Sequence, residues 1–184
     1  MGPSLFTGSP ISMLLVSGPL GRHGMAIMAV REGLTFETTI ESDTASLVPL
    51  VDALRAAIGE QLHVLRDPTR GGLASTLNEI ASASEVGCVL DEESIPVPPE
   101  VAAACDMLGL DPLYVANEGV LAAIVPLESS DAALGALRSH PLGAAARAVG
   151  RVIAEHPGLV VLRTAIGGTR IVDLLPGDQL PRIC

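Results

Sequence analysis

The chemically capable residues of this chain fall into four places. The segment Arg66-Asp-Pro-Thr-Arg-Gly-Gly72 sets a carboxylate, a hydroxyl and a guanidinium ahead of paired glycines. Paired glycines let backbone amides approach a ligand, and a helix N-terminus offers such amides to an anion. Asp67 and Thr69 have the side chains to cap that helix. Arg70 adds a forked donor suited to phosphate oxygens, while Asp67 has the oxygen ligands that Mg²⁺ takes or that accept a substrate proton. The same residues also compose a capped turn with a surface arginine, so the loop by itself leaves both readings open.

Ala116-Asn-Glu-Gly119 places Asn117 and Glu118 just ahead of an apolar run. Glu118 there has the chemistry of a general base, although a turn with Glu118 in water fits the same spacing. His23 follows a glycine turn, where an imidazole can donate to an anion or act as an acid near neutral pH. Cys184 is both a thiol and the last residue, at the end of a Pro- and Gly-containing stretch whose reach suits a carrier arm. Its own carboxylate disfavours the thiolate, which Arg182 can offset.

Composition removes several alternatives. The chain has 184 residues and no Lys, so a Walker lysine, Schiff-base chemistry and a lysine base are excluded. A net charge of −10 argues against duplex nucleic acid, which is bound through clustered cations. No apolar run reaches the ~20 residues that span a bilayer, and the first twelve residues lack a basic leader, so a cytoplasmic protein with no membrane partner is expected. Cys88, Cys105 and Cys184 are odd in number and far apart, which fits neither a disulfide framework nor a metal site. Cys88 and Cys105 read as small core residues. With 48% hydrophobic residues but only Phe6, Phe36 and Tyr114 as aromatics, the core must be aliphatic.

Periodicity then supplies the elements that must hold these groups. Strands are expected at Met13–Ser17, Phe36–Ile40, Leu62–Leu65, Val86–Leu90, Leu121–Pro126, Gly150–Ala154, Leu159–Thr164 and Thr169–Leu174, with a short extended piece at Leu113–Ala116. Helices are expected from the Gly18–Gly21 turn to Gly33, from Ser42–Ala45 to Gly59, and at Leu73–Ala83, Pro98–Leu108, Ser130–Arg138 and Leu142–Ala148. Several links are too short for parallel crossovers, so part of the sheet must be antiparallel and the fold class α+β. Residues 1–12 read as a loose non-family tail, 13–174 as one layered domain, and 175–184 as a mobile arm.

Taken in order, Ser17-Gly-Pro-Leu-Gly-Arg-His-Gly24, Arg66 to Gly72, Asp111-Pro-Leu-Tyr-Val-Ala-Asn-Glu-Gly119 and Leu180-Pro-Arg-Ile-Cys184 resemble the HypE family of carbamoyl dehydratases, of the PurM-like aminoimidazole ribonucleotide synthetase superfamily. The resemblance runs from about Met13 to the end. It implies the C-terminal domain of that superfamily, an α/β/α sandwich on a mixed sheet. It further implies that Cys184 accepts a carbamoyl group from HypF and that ATP with Mg²⁺ drives its dehydration to a thiocyanate. The cyanide then goes to iron on the HypC–HypD complex. In that scheme Cys184, Glu118 and His23 are catalytic, and Asp67, Arg70, Gly71, Gly72 and Asn117 face the nucleotide. Family members form homodimers and carry an N-terminal ATP-binding domain, for which this chain is expected to have no room. A carrier module without catalysis, or another ATP-dependent enzyme of the superfamily, fits the domain if the terminal thiol is set aside.

Overall fold

A computed structural model describes residues 10–33 and 39–174. The arm at 175–184 with Cys184, the first nine residues and most of the expected strand Phe36–Ile40 lie outside the described residues. The described strands are β1 (Pro10–Val16), β2 (Val64–Arg66), β3 (Gly87–Asp91), β4 (Ala122–Pro126), β5 (Arg147–Ile153), β6 (Val160–Arg163) and β7 (Thr169–Ile171). They form one sheet in the order β2-β4-β1-β5-β3-β6-β7. Every neighbouring pair is antiparallel except β3 with β6, so the mixed sheet is as expected.

Side chains alternate across this sheet with the period of two that a strand imposes. Leu14 and Val16 of β1 and Ala122 and Ile124 of β4 point to one face, where Leu73, Leu77 and Ile80 of α3 (Gly72–Ser84) cover them. Leu15, Ala123 and Val125 point to the other, under Leu50, Leu54 and Ile58 of α2 (Val48–Ile58) and Ala133 and Leu137 of α5 (Ser130–Arg138). Each fully buried leucine contributes roughly 1.5–3 kcal/mol relative to exposure. Beside the α3 layer, α1 (Arg22–Glu32) and α4 (Pro99–Leu108) share a smaller cluster of Met25, Val101, Ala104, Cys105 and Val115. Helical layers on both faces complete the α/β/α arrangement, with Tyr114 the one aromatic packed against the described core.

The sheet also decides where the loops go. Ala122, the first residue of β4, pairs with Val16, the last of β1, and with Arg66, the last of β2. The turns leaving β1 and β2 and the loop entering β4 therefore emerge at one end of three adjacent strands.

Four elements differ from expectation. Leu142–Ala148 is not a helix: Pro141–Gly143 makes one 3₁₀ turn, and β5 begins at Arg147. Alanine favours a helix, but β5 pairs on both sides, with β1 and β3, and that pairing overrides a weak local preference. Leu113–Ala116 is not extended at its start, because Pro112–Tyr114 is a 3₁₀ turn closed by Asp111 Oδ1 accepting the Leu113 N–H. Helix α2 starts at Val48 instead of Ser42–Ala45, placing Pro49 in the first turn, where no N–H is required of it. Strand β1 begins at Pro10, so its first three residues (Pro10, Ile11 and Ser12) belong to the sheet and not to a loose tail.

Candidate functional site

Gly21, Pro68, Val115 and Asn117 join the loops at this end of the sheet. Asn117 is fully buried. Its Oδ1 accepts the Gly21 amide at 2.7 Å, and its Nδ2 donates to the carbonyls of Val115 at 2.9 Å and Pro68 at 3.3 Å. The Asn117 amide also donates to the Pro68 carbonyl, at 3.1 Å, and the Gly24 amide to the Ala116 carbonyl, at 3.0 Å. One carboxamide thus ties the turn after β1 and the loop after β2 to the loop before β4. These bonds to three separate backbone segments make Asn117 the residue that holds the loops together.

Both helices that start here do so in the same manner. Gly21 (φ 85) precedes α1 and Gly71 (φ 63) precedes α3, each in the left-handed region, and neither helix has a side-chain cap. Asp67 and Thr69 accordingly do not cap α3. In α1 the Gly24 amide is taken by the Ala116 carbonyl, whereas the uncapped first-turn amides of α3 keep their partial positive charge for an anion. Gly72 is confined as well: it has φ +61, and a Cβ there would lie 2.4 Å from the Leu113 carbonyl oxygen. Asp67 and Arg70 are exposed beside this terminus.

His23, in the first turn of α1, is 9% exposed. Its Nδ1 lies 2.9 Å from Ser42 Oγ and 3.3 Å from Thr44 Oγ1, and those two hydroxyls are 2.7 Å apart. Glu118 is half-buried, and its amide donates to Asp43 Oδ1 at 3.0 Å. Asp43 Oδ2 is buried and has no hydrogen-bond partner among the described residues. Gly119 is packed so closely that a Cβ would meet the Asp43 carbonyl oxygen at 1.6 Å.

The structure therefore gathers His23, Glu118, Asp67, Arg70, Gly71, Gly72 and Asn117 around one set of loops, while Cys184 lies outside the described residues. Ser42, Asp43 and Thr44 join this site although their polarity in sequence suggests the start of α2; a cap must adjoin the first helical residue, and these stand four to six positions before Val48. The other cysteines are buried as expected. Burial pushes the Cys88 thiol up to about 12. Burial also raises Cys105, to about 11, with Asp111 and Asp106 adding to the effect. Neither is a thiolate nucleophile near neutral pH.

On the far side of the loop, Tyr114 Oη donates to the Asp173 carbonyl at 2.8 Å, Arg170 pairs with Asp111, and Asn78 Nδ2 donates to the Val172 carbonyl at 2.8 Å. Residues 170–173 are thereby joined to the loop that carries Glu118 through Asp111 and Tyr114, and to α3 through Asn78.

Comparison with known proteins places the fold in a family. Residues 12–162 match the family described as AIR synthase related protein, C-terminal domain. The chain is 57% identical over 175 residues to the carbamoyl dehydratase HypE of Cupriavidus necator, covering 95% of this chain and 50% of that protein. A crystal structure of hydrogenase maturation protein HypE in complex with ATP superposes with a TM-score of 0.89 at 47% identity, over 99% of this chain and 55% of that one. A HypE–HypF complex gives 0.85 at 43% identity, over 90% and 53%. The chain spans about half the length of the curated relatives it matches.

Proposed function

The chain belongs to the AIR synthase related protein C-terminal domain family, on its HypE carbamoyl dehydratase branch, and from that membership we propose that it activates and dehydrates a carbamoyl group carried on Cys184 during nickel–iron hydrogenase maturation. HypF donates the carbamoyl group to the Cys184 sulfur. The amide oxygen then takes the γ-phosphoryl group of ATP, releasing ADP, as the nitrogen gives up its first proton and forms a C=N bond, which turns a poor leaving group into a good one. Loss of phosphate from carbon and of the remaining proton from nitrogen leaves a sulfur-bound cyano group, which passes to iron on the HypC–HypD complex.

Within this scheme the chain's own residues have separable tasks. Glu118 takes the nitrogen proton, a contribution of about 10²–10⁴ in rate for a placed base. His23 assists. Arg70 and the amides at the start of α3 steady the phosphate oxygens, where a cation and uncapped helix amides suit a developing anion. Asp67, exposed and oxygen-bearing, is the residue that would hold Mg²⁺. The reaction runs in the full-length homodimer in the cytoplasm, with the half of the family protein that this chain does not span supplying the remainder of the nucleotide site. Among the described residues no helix is long and apolar enough to cross a membrane.

The observation that carries the reading is the Asn117 tie, which draws an uncapped helix terminus, a histidine and a glutamate onto one end of the sheet. The full-length protein incubated with HypF and carbamoyl phosphate should gain one carbamoyl group on the peptide Leu180–Cys184, and addition of ATP should remove one water from it. Cys184→Ala should abolish both mass changes, and Glu118→Gln only the second. Water loss at the native rate in Glu118→Gln would remove Glu118 from the mechanism.

A further inference from the structure

The segment Ser42-Asp43-Thr44 touches both His23 and Glu118, residues that no hydrogen bond joins directly among those described. Its two hydroxyls meet Nδ1 of the histidine, so the ring is gripped through that nitrogen and Nε2 is left as its other polar atom. Ser42 Oγ also accepts the Thr44 amide at 3.2 Å, which closes the segment into a tight turn around Asp43. That turn aims the Asp43 side chain at the Glu118 amide, while its main-chain carbonyl rests against Gly119 with no room for a Cβ. Asp43 thus meets consecutive residues of this loop, Glu118 through its side chain and Gly119 through its backbone.

We propose that Asp43 is a positioning residue: it fixes the backbone of Glu118 by accepting its amide proton and, through Ser42 and Thr44, fixes His23 relative to it. The proposal rests on Glu118 being the base. Only an acceptor oxygen is needed for this task, and the second oxygen, Oδ2, is buried with no partner among the described residues. The contact to Glu118 is made by Oδ1 alone, so the task rests on an acceptor at that position and not on a second carboxylate oxygen. Asparagine, which keeps an acceptor at Oδ1 and carries no charge, should therefore replace aspartate in function. Alanine should not.

The test compares Asp43→Ala, Asp43→Asn and native full-length protein in the carbamoylation and dehydration assay. Asp43→Ala should lower the dehydration kcat about 10- to 100-fold, leave KM for ATP within about threefold, and leave carbamoylation of Cys184 unchanged; Asp43→Asn should recover kcat to within about fivefold. Native kcat in Asp43→Ala, or an Asp43→Asn variant as slow as Asp43→Ala, would overturn the proposal. A second reading needs no catalysis. In ¹⁵N-labelled protein the Glu118 amide should exchange at least tenfold faster in Asp43→Ala and at the native rate in Asp43→Asn. Unaltered exchange in Asp43→Ala would also overturn it. If the exchange result holds while Glu118→Gln dehydrates normally, Asp43 still positions residue 118 but Glu118 is not the base, so the two ideas fail separately.

Discussion

Asn117 and Gly21 stand 96 positions apart in sequence and are joined by a buried hydrogen bond of 2.7 Å from the Gly21 amide to Asn117 Oδ1. Replacing Asn117 by Ala leaves that amide and the Val115 carbonyl without their partner, whereas the Pro68 carbonyl keeps the backbone amide of residue 117. Each buried polar group so orphaned costs about 1–3 kcal/mol, so a loss of roughly 3 kcal/mol is expected, read as a lower urea midpoint with an unchanged slope. Asn117→Asp should be at least as damaging, because it keeps the acceptor for Gly21 but sets a carboxylate oxygen against two carbonyls.

Gly119→Ala should disturb the site more than the core. The added methyl would overlap the Asp43 carbonyl, so the Glu118 loop and the Ser42–Thr44 turn must separate. The α2, α3 and α5 contacts are elsewhere and should survive. Expected is a shift of melting temperature of only a few degrees, together with a dehydration kcat at least tenfold lower in the full-length protein. Native kcat would show that this close approach has no bearing on catalysis.

Alkaline pH should loosen the fold through its buried thiols. Unfolded cysteine ionises near 9, whereas burial raises Cys88 to about 12 and Cys105 to about 11. Below pH 9 both states keep both protons and the thiols add no slope. From pH 9 to about 11 or 12 the unfolded chain gives up protons that the folded chain retains, so stability falls as pH rises. Urea midpoints from pH 8 to 11 should decline less steeply in Cys88→Ala than in the native chain, after allowance for its lower starting stability. At pH 8 a maleimide should leave Cys88 and Cys105 unlabelled until the protein is denatured.

Tyr114→Phe removes the hydroxyl that donates to the Asp173 carbonyl. Global stability should fall by about 1 kcal/mol or less, the net worth of one partly exposed hydrogen bond. Amide exchange at Ile171 to Asp173 should quicken, while exchange in β1 and β4 should not. Equal acceleration in all of these strands would mean that the bond supports the whole sheet.

Much of this was legible in the sequence because local rules and tertiary context agreed. Gly33 and Gly59 do end α1 and α2, and Leu73, Leu77 and Ile80 do face inward from α3. The order of strands was not legible, since hydrophobic alternation in β4 does not say that its neighbours are β1 and β2. Ala144 to Ala148 misled for a related reason: pairing with two distant strands outweighed alanine's preference. At the site, residue types announced Glu118, His23 and the double glycine. Only the fold could reveal that Asn117 is fully occupied by backbone partners and that Asp43 meets Glu118 from 75 positions away.

The pinning of residues 170–173 against Asp111, Tyr114 and Asn78 fixes the origin of a tether. Ten residues beyond Leu174, even fully drawn out, span at most about 33–36 Å, whereas Tyr114 and Glu118 are separated by four residues, or about 14 Å of chain at most. Under the role proposed for Glu118, a sulfur at the end of that length of chain would meet it at an effective concentration on the order of millimolar. Dehydration should then be first-order and indifferent to dilution, with only the encounter with the carbamoyl donor slowing as the protein is thinned.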